Sequence, residues 1–219
     1  MEDDDPYRMF LIVKRGAFDD LETGGVLAGA AAVACLRRFG DDPEYAPAID
    51  AWWQRPGKVT LRARGGQWDQ VLQQEQLTIA GDLGGASVLA LPPRRRSQAG
   101  PLLAKLQAMA SELEPAPTTE DIPQPVPDRI TYVINPRLTM SSGKTMAQIA
   151  HAATMSAATG TVEPWVAQGC PGRVVRPERQ SAFDALCASP TLSAKVEDAG
   201  LTEVPPGTIT ILALPPQAN

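Results

Sequence analysis

Hydrophobic and polar positions alternate along this chain in a way that writes one string of elements twice. Met9-Phe10-Leu11-Ile12-Val13-Lys14 is an unbroken apolar run of strand length that ends in charge, as a buried central strand does. Thr23-Gly24-Gly25 then opens an alanine-rich segment, Val26 to Arg38, which reads as a helix with Thr23 as N-cap. Arg37 and Arg38 fall at its end, where the helix dipole favours cations. Gly40-Asp41-Asp42-Pro43 stops it, and a second helix from Glu44 to Gln54 carries Trp52-Trp53. Lys58 to Arg64 alternates like a strand with one wet face, Gln67 to Gln76 reads as helix, and Leu77 to Ala80 and Ala86 to Leu91 read as strands.

Arg94-Arg95-Arg96 follows the last of these, then a helical pattern from Leu102 to Leu113. Glu114 to Asp128 contains Pro115, Pro117, Pro123, Pro125 and Pro127 and reads as an extended linker. Beyond it the pattern restarts. Ile130 to Ile134 is a strand, Thr139 to Ser142 a turn with a serine cap, and Gly143 to Ala158 a helix; Val162 to Gln168 is a short helix with Trp165. Gly172 to Val175 is a strand, Gln180 to Ala188 a helix, Ser193 to Glu197 a strand, Asp198 to Gly207 a loop and Thr208 to Leu214 the last strand.

Both halves therefore read strand-helix-helix-strand-helix-strand-strand. Trp52-Trp53 answers Trp165, Pro56-Gly57-Lys58-Val59 answers Pro171-Gly172-Arg173-Val174, and Val88-Leu89-Ala90-Leu91-Pro92-Pro93 answers Ile211-Leu212-Ala213-Leu214-Pro215-Pro216. The expected fold is α/β, two tandem copies of a small three-layer domain arranged as a pseudo-dimer. The copies occupy residues 6–93 and 129–219, with 94–128 as the connection.

The second copy carries the candidate chemistry. On a helix, Lys144, Gln148, His151 and Met155 fall within about 40° of one line, while Met146, Ile149, Ala150 and Ala153 face the other way. His151 is the only histidine in the sequence. Laying Gly24 on Gly143 places Gly25, Gly29 and Ala32 where the stripe has Lys144, Gln148 and His151, so the first copy lacks these polar groups. Gly143-Lys144-Thr145 ends like a phosphate loop, but Leu138 stands where that motif needs its first glycine, which argues against a wrapped triphosphate. A lysine in a first helical turn still favours an anion nearby.

Composition narrows the partners. The net charge of −5 gives no global signal for nucleic acid, so a basic site must be local. Arg94 to Arg96 is the densest positive cluster; it reads as a solvated turn, or as an RNA contact if RNA is bound. Met1-Glu2-Asp3-Asp4-Asp5 lacks the positive charge of a signal peptide, and no apolar run spans a bilayer, so a cytoplasmic location without membrane contact is expected. Cys35, Cys170 and Cys187 are far apart with no Cys-x-x-Cys, so neither disulfide, zinc nor another metal or cofactor is expected.

Met140-Ser-Ser-Gly-Lys-Thr-Met-Ala-Gln-Ile-Ala-His-Ala-Ala153, followed by Asp198-Ala-Gly-Leu-Thr202 and Pro206-Gly-Thr-Ile-Thr-Ile-Leu-Ala213, resembles the type 2 peptidyl-tRNA hydrolases over residues 129–216. The resemblance implies a four-stranded mixed sheet between helices that hydrolyses, without metal, the ester joining a peptide to tRNA. It carries site residues onto Lys144, Gln148, His151, Asp198, Thr202 and Thr208, with Ser142, Gly143 and Arg137 as neighbouring substrate-binding candidates. Leu201 stands where the family pattern has arginine, Glu203 where it has glutamine, and Asn135 and Arg137 where it has Arg-x-Asp. Loss of the arginine and gain of Glu203 make the site more negative. They favour the alternative of a non-catalytic RNA- or protein-binding protein on a degenerate hydrolase fold, which intact Lys144, His151, Asp198 and Thr202 oppose.

Overall fold

A computed structural model describes residues 5–74, 78–79, 87–110, 113–114 and 119–217. The first half runs β1 (Tyr7–Lys14), α1 (Leu21–Phe39), α2 (Ala46–Gln54), β2 (Gly57–Ala63), α3 (Gly66–Leu72), β3 (Thr78–Ile79) and β4 (Val88–Arg95). The connection holds α4 (Gly100–Lys105), β5 (Gln107–Ala108) and β6 (Thr119–Glu120). The second half runs β7 (Ile130–Ile134), α5 (Ser142–Ala158), α6 (Glu163–Ala167), β8 (Gly172–Pro177), α7 (Gln180–Cys187), β9 (Ala194–Asp198) and β10 (Thr208–Leu214). Of the expected strand Ala86 to Leu91, Ala86 lies outside the described residues, as do Leu77 and Ala80 of the strand before it and the tail Met1 to Asp4. Glu75 and Gln76 of the expected third helix and Pro115 and Pro117 of the proline-rich stretch also lie outside them.

Two mixed sheets result, ordered β3-β4-β1-β2-β5 and β6-β8-β7-β10-β9. In each, the leading strand pairs in parallel with one neighbour (β1 with β2, β7 with β8) and antiparallel with the other (β1 with β4, β7 with β10). The expectation of four strands per sheet is corrected to five, because the connecting segment donates an edge strand to both. A β-edge exposes unpaired N–H and C=O groups, and the chain nearest to it satisfies them. β5 pairs antiparallel with β2 and Met109 N donates to Thr60 O at 3.0 Å; β6 runs parallel to β8. The helix expected from Leu102 to Leu113 accordingly stops at Lys105, since Gln107 to Met109 bond the edge of β2 in place of a helical ladder. The segment from 94 to 128 is in part built into both sheets.

One hydrophobic core runs through both halves. It joins Met9, Leu11, Leu27, Trp52 and Ala90 to Tyr132, Met146, Ile149, Trp165, Val174 and Ile211, while smaller clusters lie on the outer faces of the two sheets, with Trp68 and Leu103 on one and Phe183 on the other. α1 and α5 form the middle of that core, α1 packing on β4 and β8 as well as on α5, and α5 on β2, β9 and β10. Small residues set their separation. A Cβ on Gly25 would lie 2.5 Å from Ile149 Cδ1, and one on Gly29 would lie 3.1 Å from Ala153 Cβ.

Register revises how the halves correspond. Leu11 and Tyr132 both face the shared core; Leu11 is paired with Thr60 and Ala90, Tyr132 with Val174 and Ala213. The match of Ala90 with Ala213 stands, but Thr60 now falls on Val174 and Lys58 on Gly172, one residue from the motif match of Lys58 with Arg173. A one-residue slip exchanges the faces of a strand. Arg173 therefore points to the opposite side, where it pairs with Glu120 and donates to Thr131 Oγ1 at 3.0 Å. The helix caps shift too. Asp20, not Thr23, is the N-cap of α1, accepting from Thr23 N at 2.7 Å, as Ser141 accepts from Lys144 N at 3.2 Å in α5. Thr23, Leu27 and Ala30 thus stand opposite Lys144, Gln148 and His151, replacing Gly25, Gly29 and Ala32; a stripe of lysine, glutamine and histidine is still absent from the first half.

Met146 and Ile149 are both fully buried, and together contribute roughly 3–6 kcal/mol, a large share of the ~5–15 kcal/mol of a typical domain. The halves are expected to unfold in one transition. Gly29→Leu should lower the urea midpoint by the equivalent of about 1–3 kcal/mol while the transition stays single, as coincident fluorescence and circular dichroism curves would record.

Candidate functional site

α5 presents its apolar face to α1 and its polar stripe to a cleft of about 510 Å³ that both halves line. The second half contributes Lys144, Gln148, His151, Asp198, Leu201 and Thr202. Tyr7, Arg8, Arg55, Lys58, Thr60 and Met109 come from the other side.

The N-terminus of α5 is held from three directions. Ser141 is its side-chain cap, and Glu203 accepts from both Ser141 N at 2.7 Å and Ser141 Oγ at 2.6 Å. The hydroxyl of Thr60 in β2 donates to Gly143 O at 2.9 Å. Gly143 is required by packing, since a Cβ there would sit 2.3 Å from Met109 O. Ser142 is buried and its hydroxyl accepts from Leu113 N at 3.3 Å, outside the cleft.

Asp198, at the end of β9 and 7% exposed, is the centre of the arrangement. Its Oδ2 receives the ammonium of Lys144 and Gln148 Nε2 at 2.6 Å; its Oδ1 receives Gly200 N at 2.8 Å. Lys144 also donates to Thr202 Oγ1 at 3.1 Å. Thr210 Oγ1 lies 3.0 Å from Gln148 Oε1 and donates to it, which turns the amide nitrogen toward the carboxylate. A lysine in the first turn of a helix opposes the dipole, and the carboxylate beside it offsets that. An ammonium has three protons and a carboxylate about four acceptor positions. Among the described residues, these bonds leave one proton on Lys144 and one lone pair on Oδ1.

His151 lines the same cleft two helical turns beyond Lys144, but its ring makes no hydrogen bond among the described residues. Burial, then the charges of Lys58 and Lys144, hold its pKa well below the ordinary value, so its imidazole is neutral near pH 7. Thr208 is not brought in, because its hydroxyl donates to Pro205 O at 2.7 Å within the loop. Arg137 is exposed in the turn after β7, outside the cleft, its backbone N bonding Asn135 Oδ1 at 3.1 Å. Asn135 itself donates to Ile209 O at 2.8 Å and fastens that turn to β10. Arg94 to Arg96 also lie outside; Arg95 stacks on Tyr7 and donates to Asp5 O at 3.0 Å.

Sequence reading missed Thr210, Thr60 and Lys58. β10 shifts register against β9 between Ile209 and Ile211, so simple alternation does not tell which way Thr210 faces. Thr60 and Lys58 belong to the half without the polar stripe. Among the described residues no three of His, Cys, Asp and Glu gather as a metal site. Cys35 and Cys170 are buried, and burial pushes the Cys170 thiol up to about 12.

The family model for Peptidyl-tRNA hydrolase PTH2 matches residues 129–219. A Peptidyl-tRNA hydrolase of Thermococcus onnurineus (strain NA1) is 38% identical over 96 residues, spanning 38% of this chain and 80% of the relative. One of Thermococcus sibiricus (strain DSM 12597 / MM 739) is 34% identical over 94 residues, with 38% and 80% covered. The chain belongs to the peptidyl-tRNA hydrolase PTH2 family through its C-terminal half. No solved structure matches. No helix among the described residues is long and apolar enough to cross a membrane.

The depressed pKa of His151 makes a signed prediction. Below about pH 6.5 the unfolded chain binds a proton that the folded chain resists, so this contribution to stability is present above 6.5 and is lost as pH falls toward the folded value. Between pH 7 and 5 the wild type should lose more thermal stability than His151→Asn, as differential scanning fluorimetry of the pair would measure.

Proposed function

We propose that the chain hydrolyses the ester bond of peptidyl-tRNA, releasing peptide and free tRNA so that the tRNA re-enters translation. The observation that carries this reading is the convergence of Lys144, Gln148 and Gly200 on Asp198, with one ammonium proton and one carboxylate lone pair unfilled inside a cleft. Ester hydrolysis needs a positioned water and a donor for the oxyanion of the tetrahedral intermediate. Asp198 Oδ1 accepts a proton of the water and aims it at the carbonyl, and Lys144 donates its third proton to the oxyanion. Thr202, whose oxygen accepts from Lys144, keeps its own proton for the substrate. Gln148 holds Asp198 in place, and neutral His151 offers a hydrogen bond further along the helix. Activity in the cytoplasm, without a metal, is part of the same reading.

The first half is, in this reading, a degenerate tandem copy that packs as a built-in subunit. Four matching strands in each sheet support it, as do two hydrogen bonds in equivalent places: Trp52 Nε1 donates to Gly57 O at 2.8 Å and Trp165 Nε1 to Pro171 O at 2.6 Å. The contacts across the seam correspond as well. Thr60 reaches Gly143 O, and at the corresponding strand position Val174 N donates to Glu22 Oε1 at 3.4 Å.

Purified protein mixed with peptidyl-tRNA should deacylate it, and Lys144→Ala and Asp198→Asn should each lower kcat by about 10²–10³. Thr208→Val should stay near wild type. Tight binding of peptidyl-tRNA with no deacylation would replace this reading with that of a non-catalytic binder.

A further inference from the structure

Lys58 is a half-buried side chain lining the cleft, its ammonium enclosed, that the proposed chemistry leaves unused. It projects from the inner face of β2, from the half that lacks the Lys144–Gln148–His151 stripe. Its Nζ is enclosed and has no hydrogen-bond partner among the described residues; its contact is with the Trp52 ring, 4.4 Å from the ring centroid. A buried ammonium without an acceptor is costly, and burial holds the Lys58 pKa well below its ordinary value. An ammonium in such a place is completed by an anion.

The surroundings say which anion the place suits. Arg8 and Arg55 of the first half line the cleft with Lys58, and Glu197, Asp198 and Glu203 line it from the second half. The cleft is thus basic toward the first half and acidic toward the loop after β9, inside a chain of net charge −5. At the equivalent position of the other half, Gly172 takes the place of Lys58, and a Cβ there would meet Val26 Cγ2 at 3.2 Å. There the space is filled. Beside Lys58, the corresponding residue of α5 is Ala147, which also lines the cleft and leaves it open. Lys58 influences His151, seven residues and roughly 10 Å along α5 from Lys144. A phosphate near Lys58 and a reacting ester near Lys144 fit one extended strand of nucleotides. A phosphodiester stays ionised throughout the pH range of the protein and matches a basic wall better than a carboxylate shared with acidic neighbours.

We propose that the first half is part of the substrate site: Lys58, flanked by Arg8 and Arg55, binds a backbone phosphate of single-stranded RNA lying along α5. The proposal rests on the peptidyl-tRNA reading for its substrate but makes a separate demand on Lys58. It assigns the first half a role in binding, beyond support of the fold.

A fluorescein-labelled single-stranded RNA hexanucleotide with a free 3′ hydroxyl, titrated at several salt concentrations, tests it directly. Lys58→Met should weaken binding about tenfold and flatten the salt dependence by about one phosphate contact. Lys58→Arg should retain most of the affinity. Lys58→Met should also raise Tm, because an enclosed unpaired ammonium gives way to an apolar side chain of similar length; a purely structural lysine would give the opposite sign. With peptidyl-tRNA, KM should rise about tenfold and kcat change less than twofold. RNA affinity equal to wild type in Lys58→Met would overturn the proposal, as would Lys58-dependent binding of hexaglutamate without binding of the RNA. If the wild type deacylates peptidyl-tRNA while Lys58→Met leaves KM and RNA affinity unmoved, the phosphate site fails and the hydrolase reading survives. If the wild type never deacylates but Lys58→Met loses RNA, the phosphate site survives and the hydrolase reading fails.

Discussion

The close packing of α1 against α5 is the constraint on which the rest of this molecule depends. α5 is nearly enclosed, with sheets on both sides of the helical layer, and only small residues let the two helices approach. Its apolar side is consumed by α1, so its polar stripe has one outlet, the gap between β2 of one sheet and β9 and β10 of the other. The site is therefore a by-product of how the central layer closes. Side chains there are fixed by a dense interior, which is what a reaction that needs two groups at set positions requires.

That same packing explains which parts could be read in the sequence. The stripe of Lys144, Gln148 and His151 was legible because it is a local helical periodicity, and Asp198 because a polar loop joins two apolar runs. The pairing of Asp198 with Lys144 and Gln148 spans about fifty residues and depends on the β9–β10 ladder, so only the family resemblance brought these residues together beforehand. Thr208 and Thr210 show the difference. Both look suitable in the sequence, but the ladder, with its register shift, sends Thr210 inward to Gln148 while the Thr208 hydroxyl closes its own loop. The strand order of the two halves was largely readable from hydrophobic runs. The edge strands β5 and β6 were not, since two-residue pairings carry no periodicity and arise from unsatisfied edges nearby.

The departures from the family pattern also acquire physical content. Glu203 serves as an acceptor for Ser141 N and Oγ, which a carboxylate does at least as well as an amide, so its charge is partly spent on fixing the start of α5. Asn135 donates to the carbonyl of Ile209 and fastens the turn to β10. Leu201 is different. It is 60% exposed at the cleft and has nothing charged to offer where the family places an arginine.

A missing positive charge on one wall raises the question of where an anionic substrate would find compensation. Within the second half, the ammonium of Lys144 is engaged by Asp198, Arg137 lies in an exposed turn outside the cleft, and Arg173 is paired with Glu120 on the opposite side of its strand. Arg95 is held by Tyr7 and Asp5 at a different place. The other basic groups of the cleft belong instead to the strands and loops of the first half, and among them Lys58 stands where the register puts lysine against a glycine counterpart. In the proposed reading of the halves as two copies of one scaffold, they can diverge at single inward positions without disturbing the ladder, because the ladder is made by backbone groups. The first half, which has no Lys-Gln-His stripe, lines the cleft with Lys58 where the register of the second half has Gly172, and in the proposed reading that asymmetry is the division of labour between the halves at the level of one side chain.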